Sequence, residues 1–384
     1  MTHPFHTYPA RMHPATARHL IALAGARPGQ SPAILDPFCG SGTTLVEARR
    51  AGASSLGGDL NPLAVAIARA KTWTAPFDRR KLALSLGREI AAGALDEVKA
   101  ARRAGHERAP LRRAGSDPFE RNRILGEWFA PHVRRELETL AELVDEAGQR
   151  DSDAGEVLRV VLSSVLYKVS QRSSDTDPSR VSRQIARGAA ARLFGARLGV
   201  LFEGLDALAS GAGPLPRVVC TDARRLGGHA PPASFDLVVT SPPYAGTYDY
   251  ADQHRMRMVF LGLDDRDFSR GEIGARASFA GGGTRRAQAL AGTREAMSAA
   301  LGQIARALVP GGRAVLVVGD SLAGGEAVRA DQLITEARTG DPDAARLAPL
   351  AWARQERTAL GRVESEAFAD LPKREHLLLF ERNA

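Results

Sequence analysis

The segment Asp36-Pro37-Phe38-Cys39-Gly40-Ser41-Gly42-Thr43 constrains this chain more than any other. It follows the apolar run Ala33-Ile34-Leu35 and leads into the helical pattern Thr43 to Ala51, so it reads as a strand, a glycine turn and a helix. Glycines there let the backbone approach a ligand closely, and the first N–H groups of the helix face it. Ser54 to Asp59 reads as a second strand, which makes this the opening βαβ unit of a parallel sheet. Asp59 ends that strand roughly 20 residues past the turn, placed to accept hydrogen bonds from ribose hydroxyls. Only Gly40 and Gly42 fit the G-x-G-x-x-G fingerprint and no P-loop lysine follows, which disfavours a nucleoside triphosphate. Taken singly, Asp36 could be an Asx turn and Asp59 a helix N-cap; the two at this spacing favour a nucleoside ligand.

The rest of the chain divides by texture. From Asp78 to Ala209 the pattern is helical, with an amphipathic run Val133 to Glu146 and an apolar one Val157 to Val169. Two basic stretches, Arg102 to Arg123 and Ser170 to Arg187, separate these runs. Strand patterns return at Arg217 to Cys220, Phe235 to Val239, Arg313 to Val318 and His376 to Phe380. The last is expected to form a hairpin with a strand around Arg357 to Val363. Gly281-Gly282-Gly283 marks an expected mobile loop between Asp264 and Arg286. The expected organisation is therefore 1–77 and 214–384 as two parts of one α/β domain, interrupted by a helical insertion over 78–213.

Charge and cysteine narrow the class. Lys+Arg 52 against Asp+Glu 44 gives a net charge of +8 over 384 residues, a modest lean toward a polyanionic partner. Nearly all the cations are arginine, which can grip phosphate or guanine with two hydrogen bonds at once. Cys39 and Cys220 have no neighbour at CxxC spacing, so neither a disulfide framework nor a cysteine zinc site is expected. His3, His6 and His13 lack a carboxylate or cysteine at ligand spacing, and no metal is expected. The N-terminus carries no signal-peptide pattern and the apolar runs are too short to span a bilayer, so a cytoplasmic protein with no membrane partner is expected.

A second cluster, Phe235-Asp236-Leu237-Val238-Val239-Thr240-Ser241-Pro242-Pro243-Tyr244, is a buried strand running into a stiff turn and an aromatic. The prolines fix φ and leave carbonyl acceptors without competing N–H donors, which holds Tyr244 where it can stack on a flat ligand. By itself this is an ordinary strand-ending turn.

Together the clusters resemble the S-adenosylmethionine-dependent amino methyltransferases of DNA. Asp36 to Thr44 is similar to their cofactor motif, and Thr240 to Tyr244 to their Ser/Asp/Asn-Pro-Pro-Tyr/Phe catalytic motif, in the form closest to the cytosine-N4 branch. Gly58 to Pro62, Cys220 to Ala223, Tyr248 to Gly262, Pro310 to Ser321 and His6 to Arg11 match further family motifs. The resemblance implies a Rossmann-like class I methyltransferase fold, with a mostly parallel seven-stranded sheet and an inserted helical domain. It implies S-adenosyl-L-methionine as cofactor, held by Tyr8, Asp36, Phe38, Gly40, Gly42, Thr43, Asp59, Asn61 and Asp222. Ser241, Pro242, Pro243 and Tyr244 are the implied catalytic residues and DNA the implied partner, with any restriction endonuclease a separate chain. The helical stretch between Asp59 and Asp222 departs from the familiar motif orders, in which target recognition sits elsewhere.

The residues suit methylation of an exocyclic amine. That nitrogen is a poor nucleophile because its lone pair is delocalised into the ring, and two fixed acceptors, Ser241 Oγ and the Pro242 carbonyl, would draw it toward tetrahedral geometry. A carbon-5 cytosine methyltransferase would need a cysteine nucleophile, which neither Cys39 nor Cys220 is placed to supply. Arg172, Arg180, Arg183 and Arg187 mix with short hydroxyl donors in the manner of DNA-backbone contacts; a second basic patch is Arg102, Arg103, Arg108, Arg112 and Arg113. The expected function is cytosine-N4 methylation in DNA after base flipping. Adenine-N6 methylation, RNA or protein-glutamine methylation, and a non-catalytic nucleic-acid-binding protein are the alternatives.

Overall fold

The computed structural model describes residues 1–9, 11–24, 31–104, 118–173, 179–181, 183–211, 213–281 and 283–384. The strands among them are β1 (Ala33–Asp36), β2 (Ser54–Asp59), β3 (Arg217–Cys220), β4 (Phe235–Thr240), β5 (Leu308–Gly319), β6 (Ser321–Ala323), β7 (Glu326–Val328), β8 (Leu347–Glu356) and β9 (Arg374–Arg382). Seven form one sheet in the order β3-β2-β1-β4-β5-β9-β8, and β6 and β7 form a separate hairpin. The first five in that order run parallel, while β9 is antiparallel to both its neighbours. Strand order reverses between β1 and β4, the switch point at which open α/β sheets bind ligands beyond the carboxyl ends of their strands.

Alternation along the strands explains the two-sided core. Leu35, Leu56, Val238, Leu316, Val318, Leu378 and Phe380 share one apolar cluster with Leu301 and Ile304 of the helix Gly283–Ala307. Their neighbours Ile34, Leu237, Val239 and Val315 join a second cluster with Ile21 and Ala48, from the helices Pro14–Ala24 and Thr43–Arg50. The inner strands β1, β2, β4 and β5 bury both faces, the pattern expected of a parallel sheet with helices on either side, while the edge strands β3 and β8 are largely open to solvent.

The chain falls into two compact units: Arg11–Val65, Gly211–Ala251 and Arg266–Ala384 in one, and Met1–Ala10, Ala66–Ser210 and Asp252–Asp265 in the other. The first is the sheet unit. The second is helical, built on Phe77–Ala104, Pro131–Arg150, Ser152–Leu166 and Ala189–Ala209. Asp151 caps the third of these by accepting from the Ala154 N–H at 3.0 Å, and buried Glu136 caps the fourth by accepting from Gly188 and Ala191 at 3.0 and 2.8 Å. This division differs from one drawn at 78 and 213. The first residues join the helical unit because Phe5 is fully buried there, and because His6 Nε2 lies 3.0 Å from Ser163 Oγ.

Two further differences from the sequence reading have plain causes. The partner of β9 is β8, Leu347–Glu356, while Gly361–Ala367 is a short helix. Ala348, Pro349, Ala351 and Ala353 give β8 little intrinsic strand signal; the β9 backbone supplies the pairing, with a bulge between Pro349 and Ala351. The stretch from Asp264 to Arg286 contains the helix Arg266–Gly271 and a 3₁₀ turn at Arg276–Phe279, and it is tied to the chain beyond β4. No helix among the described residues is long and apolar enough to cross a membrane.

Candidate active site

Asp36, the last residue of β1, is 3% exposed. Its Oδ1 accepts from Thr240 Oγ1 at 2.7 Å and from the Phe38 N–H at 3.3 Å. Asp59 lies at the corresponding end of β2. Its Oδ2 accepts from the Gly40 N–H at 2.8 Å and its Oδ1 from the Asn61 N–H at 2.9 Å, while Cys39 N donates to Gly58 O at 2.9 Å. The glycine turn is thus pinned to β2 at two points. Gly40 and Gly42 have φ of 48° and 78°, the left-handed region where a side chain is strained. Burial pushes both carboxyls up to about 6 against the hydrogen bonds that hold them down, and for Asp36 the nearby Asp59 adds to the rise. The Thr43 hydroxyl, at the head of the helix, is buried with no hydrogen-bond partner in the chain. A turn of aimed N–H groups, an acid pair and an orphaned hydroxyl fit a nucleoside ligand with a ribose diol.

The Pro-Pro motif leaves β4 beside this turn. Burial pushes the Tyr244 phenol up to about 12, against the neighbouring Ser241 hydroxyl, which holds it down. The loop beyond is braced from one stretch of chain. Gly246 N donates to Gly274 O at 2.8 Å, and Arg276 N to Tyr248 O at 3.1 Å. Asp249 accepts from Ala277 N at 2.8 Å, and the Glu272 carboxylate accepts from Tyr250 N and Ala251 N at 2.6 and 3.3 Å. Tyr248 and Tyr250 pack ring to ring at 5.1 Å, and burial raises the Tyr250 phenol as well. Glu272 and Gly246 had drawn no notice in the sequence, and Asp249 only as part of the Tyr248 to Gly262 match; the one available hint for Glu272 was an acid about 28 residues downstream of the Pro-Pro motif, within a stretch that looks like loop.

Residues 4–119 match the family model described as the RMKL-like methyltransferase domain (UPF0020). Type II methyltransferase M.MvaI of Kocuria varians is 38% identical over 86 residues, 22% of this chain and 18% of its own length. The chain thus aligns with under a fifth of that curated relative. Among solved structures, TrmN from Thermus thermophilus is similar over 99% of this chain and 52% of its own, at 15% identity and TM-score 0.35. The rRNA methyltransferase AviRa from Streptomyces viridochromogenes is similar over 98% and 88%, at 14% identity and TM-score 0.34. The strand order given above, with β9 antiparallel between β5 and β8, is that of the class I methyltransferases. The matched methyltransferase domain makes S-adenosylmethionine the cofactor.

Of the residues expected to hold S-adenosylmethionine, Asp36, Phe38, Gly40, Gly42, Thr43 and Asp59 come together at the turn. Asn61 is nearby, but its Oδ1 accepts from Leu63 and Ala64 N–H at 2.9 and 3.3 Å, so the side chain caps the helix Pro62–Thr72. Asp222 follows β3, and its carboxylate is clasped by Arg224 at 2.6–2.9 Å, which lowers its pKa. Tyr8 belongs to the helical unit, where its ring packs 4.9 Å from that of His254.

Among the expected DNA contacts, Arg180, Arg183 and Arg187 are exposed. Arg172 is not presented in the same way: its guanidinium sits 5.2 Å from the centre of the Trp128 ring and 4.0 Å from Glu127. Gln171–Ser173 and Ser179–Val181 pair through their backbones, at Val181 N to Gln171 O and Ser173 N to Ser179 O. Residues 105–117, with Arg108, Arg112 and Arg113, lie outside the described residues. Asp320, Asp331 and His376 cluster with ligand atoms within 4.8 Å. Asp320, however, already accepts from Arg329, the Ala330 and Arg374 N–H groups and His376 at 2.9–3.1 Å, which leaves its lone pairs no role toward a cation.

Proposed function

We propose that this chain methylates DNA, transferring the methyl group of S-adenosylmethionine to the N4 amino group of cytosine. The observation that carries the proposal is the bond from Thr240 to Asp36. One short hydrogen bond fixes the first residue of the Thr-Ser-Pro-Pro-Tyr motif to the strand that opens the cofactor turn. An amine donor held by that motif is thereby set at a fixed distance from whatever the turn holds. The resemblance of the motif to the cytosine-N4 branch and the likeness to a type II methyltransferase support the choice of substrate.

S-adenosylmethionine supplies an electrophilic methyl on a sulfonium sulfur. In this reading Asp59 takes its ribose hydroxyls, the Gly40–Thr43 turn takes its polar edge, and the unpartnered Thr43 hydroxyl finds its acceptor or donor there. The target amine donates one N–H to Ser241 Oγ and one to the Pro242 carbonyl. The Tyr244 phenol, next to Ser241, would orient the Ser241 hydroxyl. Serine is too weak a base to take a proton at neutral pH, so the work is alignment and electrostatics, and the proton leaves to water once the nitrogen is cationic. Flipping the base costs a few kcal/mol, of which stacking on Tyr244 returns about 1–3 kcal/mol.

The test is direct. The protein is expressed, host DNA is digested to nucleosides, and the methylated base is identified by mass spectrometry. N4-methylcytosine is the expected product. N6-methyladenine would move the substrate to the other branch, and no methylated base in DNA would reject it. Ser241→Ala should lower kcat about 100-fold, the scale for a lost oriented group, with KM for DNA little changed.

A further inference from the structure

Gly319 ends β5 and pairs with Glu375 of β9. A glycine near a strand end weakens the strand, since it has no side chain to pack, and commonly marks a close approach. Backbone conformation gives no reason for it: Gly319 is not among the residues with positive φ, so any L-residue could adopt its dihedral angles. What surrounds it gives a reason. A Cβ there would lie 2.8 Å from Tyr244 Cε2 and 3.3 Å from Tyr244 Cδ2 and Cζ. A planar ring cannot bend away from such a contact as an alkyl chain can, so the ring itself must shift.

Toward the core, little room exists for that shift. The space bordering Tyr244 and Gly319 is a cavity of about 20 Å³, walled in part by Pro242, Met297, Val318 and Leu333. That is the scale of one water molecule, far below a phenol ring. Pro242 and Pro243 stiffen the chain before Tyr244. After it, Gly246 is packed so closely that a Cβ would come within 2.6 Å of Ala323. A displaced ring must therefore carry its phenol away from Ser241.

We propose that Gly319 is a positioning residue for methyl transfer: its missing side chain is the seat that lets the Tyr244 ring lie with its phenol at Ser241. This rests on the reading above, in which Ser241 and Tyr244 handle the amine. Gly319 touches neither substrate nor cofactor in that reading and acts only through Tyr244.

The experiment has a spectroscopic arm and a kinetic arm. With tyrosine labelled at Cζ and the Tyr244 resonance assigned by its loss in Tyr244→Phe, the phenol is titrated by NMR. In the unaltered protein it should ionise near 12, and in Gly319→Ala it should fall toward 10 as the ring leaves its buried seat. In the kinetic arm, Gly319→Ala should lower kcat tenfold or more with S-adenosylmethionine affinity unchanged. Tyr244→Phe, which keeps the ring and its packing, should reproduce that loss. In a Tyr244→Ala background, adding Gly319→Ala should change kcat less than twofold, because no ring remains to be displaced. An unmoved Tyr244 resonance, full turnover in Gly319→Ala, or additive losses in the double variant would each overturn the proposal. Absence of any methyl transfer by the unaltered protein would instead reject the functional reading, with the NMR arm still deciding whether Gly319 seats the ring.

Discussion

At the scale of single residues, the acid pair is the feature with the sharpest consequence. Asp36 and Asp59 sit near 6 because burial penalises their charged forms. A carboxyl whose folded value is raised stabilises the fold below its unfolded value near 3.8 and loses that contribution as pH rises through about 6. Ligand binding runs the other way. If ribose hydroxyls donate to the ionised form of Asp59, as proposed, cofactor affinity should rise with pH up to about 6 and level off above it, falling about tenfold per unit on the acid side. Calorimetry from pH 5 to 7.5 in buffers of different ionisation enthalpy should show proton release on binding below pH 6. Asp59→Asn should bind more weakly and lose most of that slope. A slope unchanged in Asp59→Asn would reassign the titrating group to Asp36.

At the scale of elements, the loop after β4 owes its shape to its neighbours. Gly246 has φ of 68° and sits against the β6–β7 hairpin, with Ala323 Cα 2.7 Å from where a Cβ would be. Gly246→Ala should therefore destabilise the sheet unit by about 1–3 kcal/mol, the scale of a strained backbone position, read from urea unfolding. A midpoint within error of the unaltered protein would show that the hairpin yields freely. Legibility in the sequence followed the same division. Strands β2 and β3 could be drawn residue for residue, because apolar runs bounded by turns decide them locally. The glycine turn and its tie to β2 could be read from Gly40, Gly42 and Asp59. Strand β8 could not, because its pairing is written in β9. The Glu272 brace and the Gly319 seat were equally hidden, since each is a contact between residues distant in the chain. Asp222 and Asn61 show the converse: their motifs were visible, but the clasp by Arg224 and the capping of the helix Pro62–Thr72 depend on geometry.

At the scale of the whole molecule, the proposed DNA contacts can be tested on the arginines of the helical unit. Arg180, Arg183 and Arg187 are exposed on the turn preceding the helix Ala189–Ala209, and Arg183 Nη2 reaches Ser173 O at 3.4 Å. Changing the three together to Ala should weaken DNA binding and flatten its salt dependence by about 3 in the log–log slope if each meets one phosphate. S-adenosylmethionine affinity should stay the same. Binding measured between 50 and 300 mM salt decides the point, and an unchanged slope would remove these residues from the interface.

The pairing of β2 with β3 has a consequence for how the protein assembles itself. These adjacent strands are separated by roughly 160 residues of chain, so the sheet must close a very long loop before its edge can zip. Loop entropy grows only with the logarithm of length. Compared with a crossover of about 20 residues, the detour adds only about 2 kcal/mol to the closure term if the helices are still unfolded, and less once they have condensed. The burden falls on rate rather than on equilibrium stability. A newly made chain can form the β1–β2 unit early, yet β1 must wait for β4 to emerge from synthesis. Until then the central strand keeps an open edge of unpaired backbone N–H and C=O groups, the part of the growing sheet most prone to mispairing.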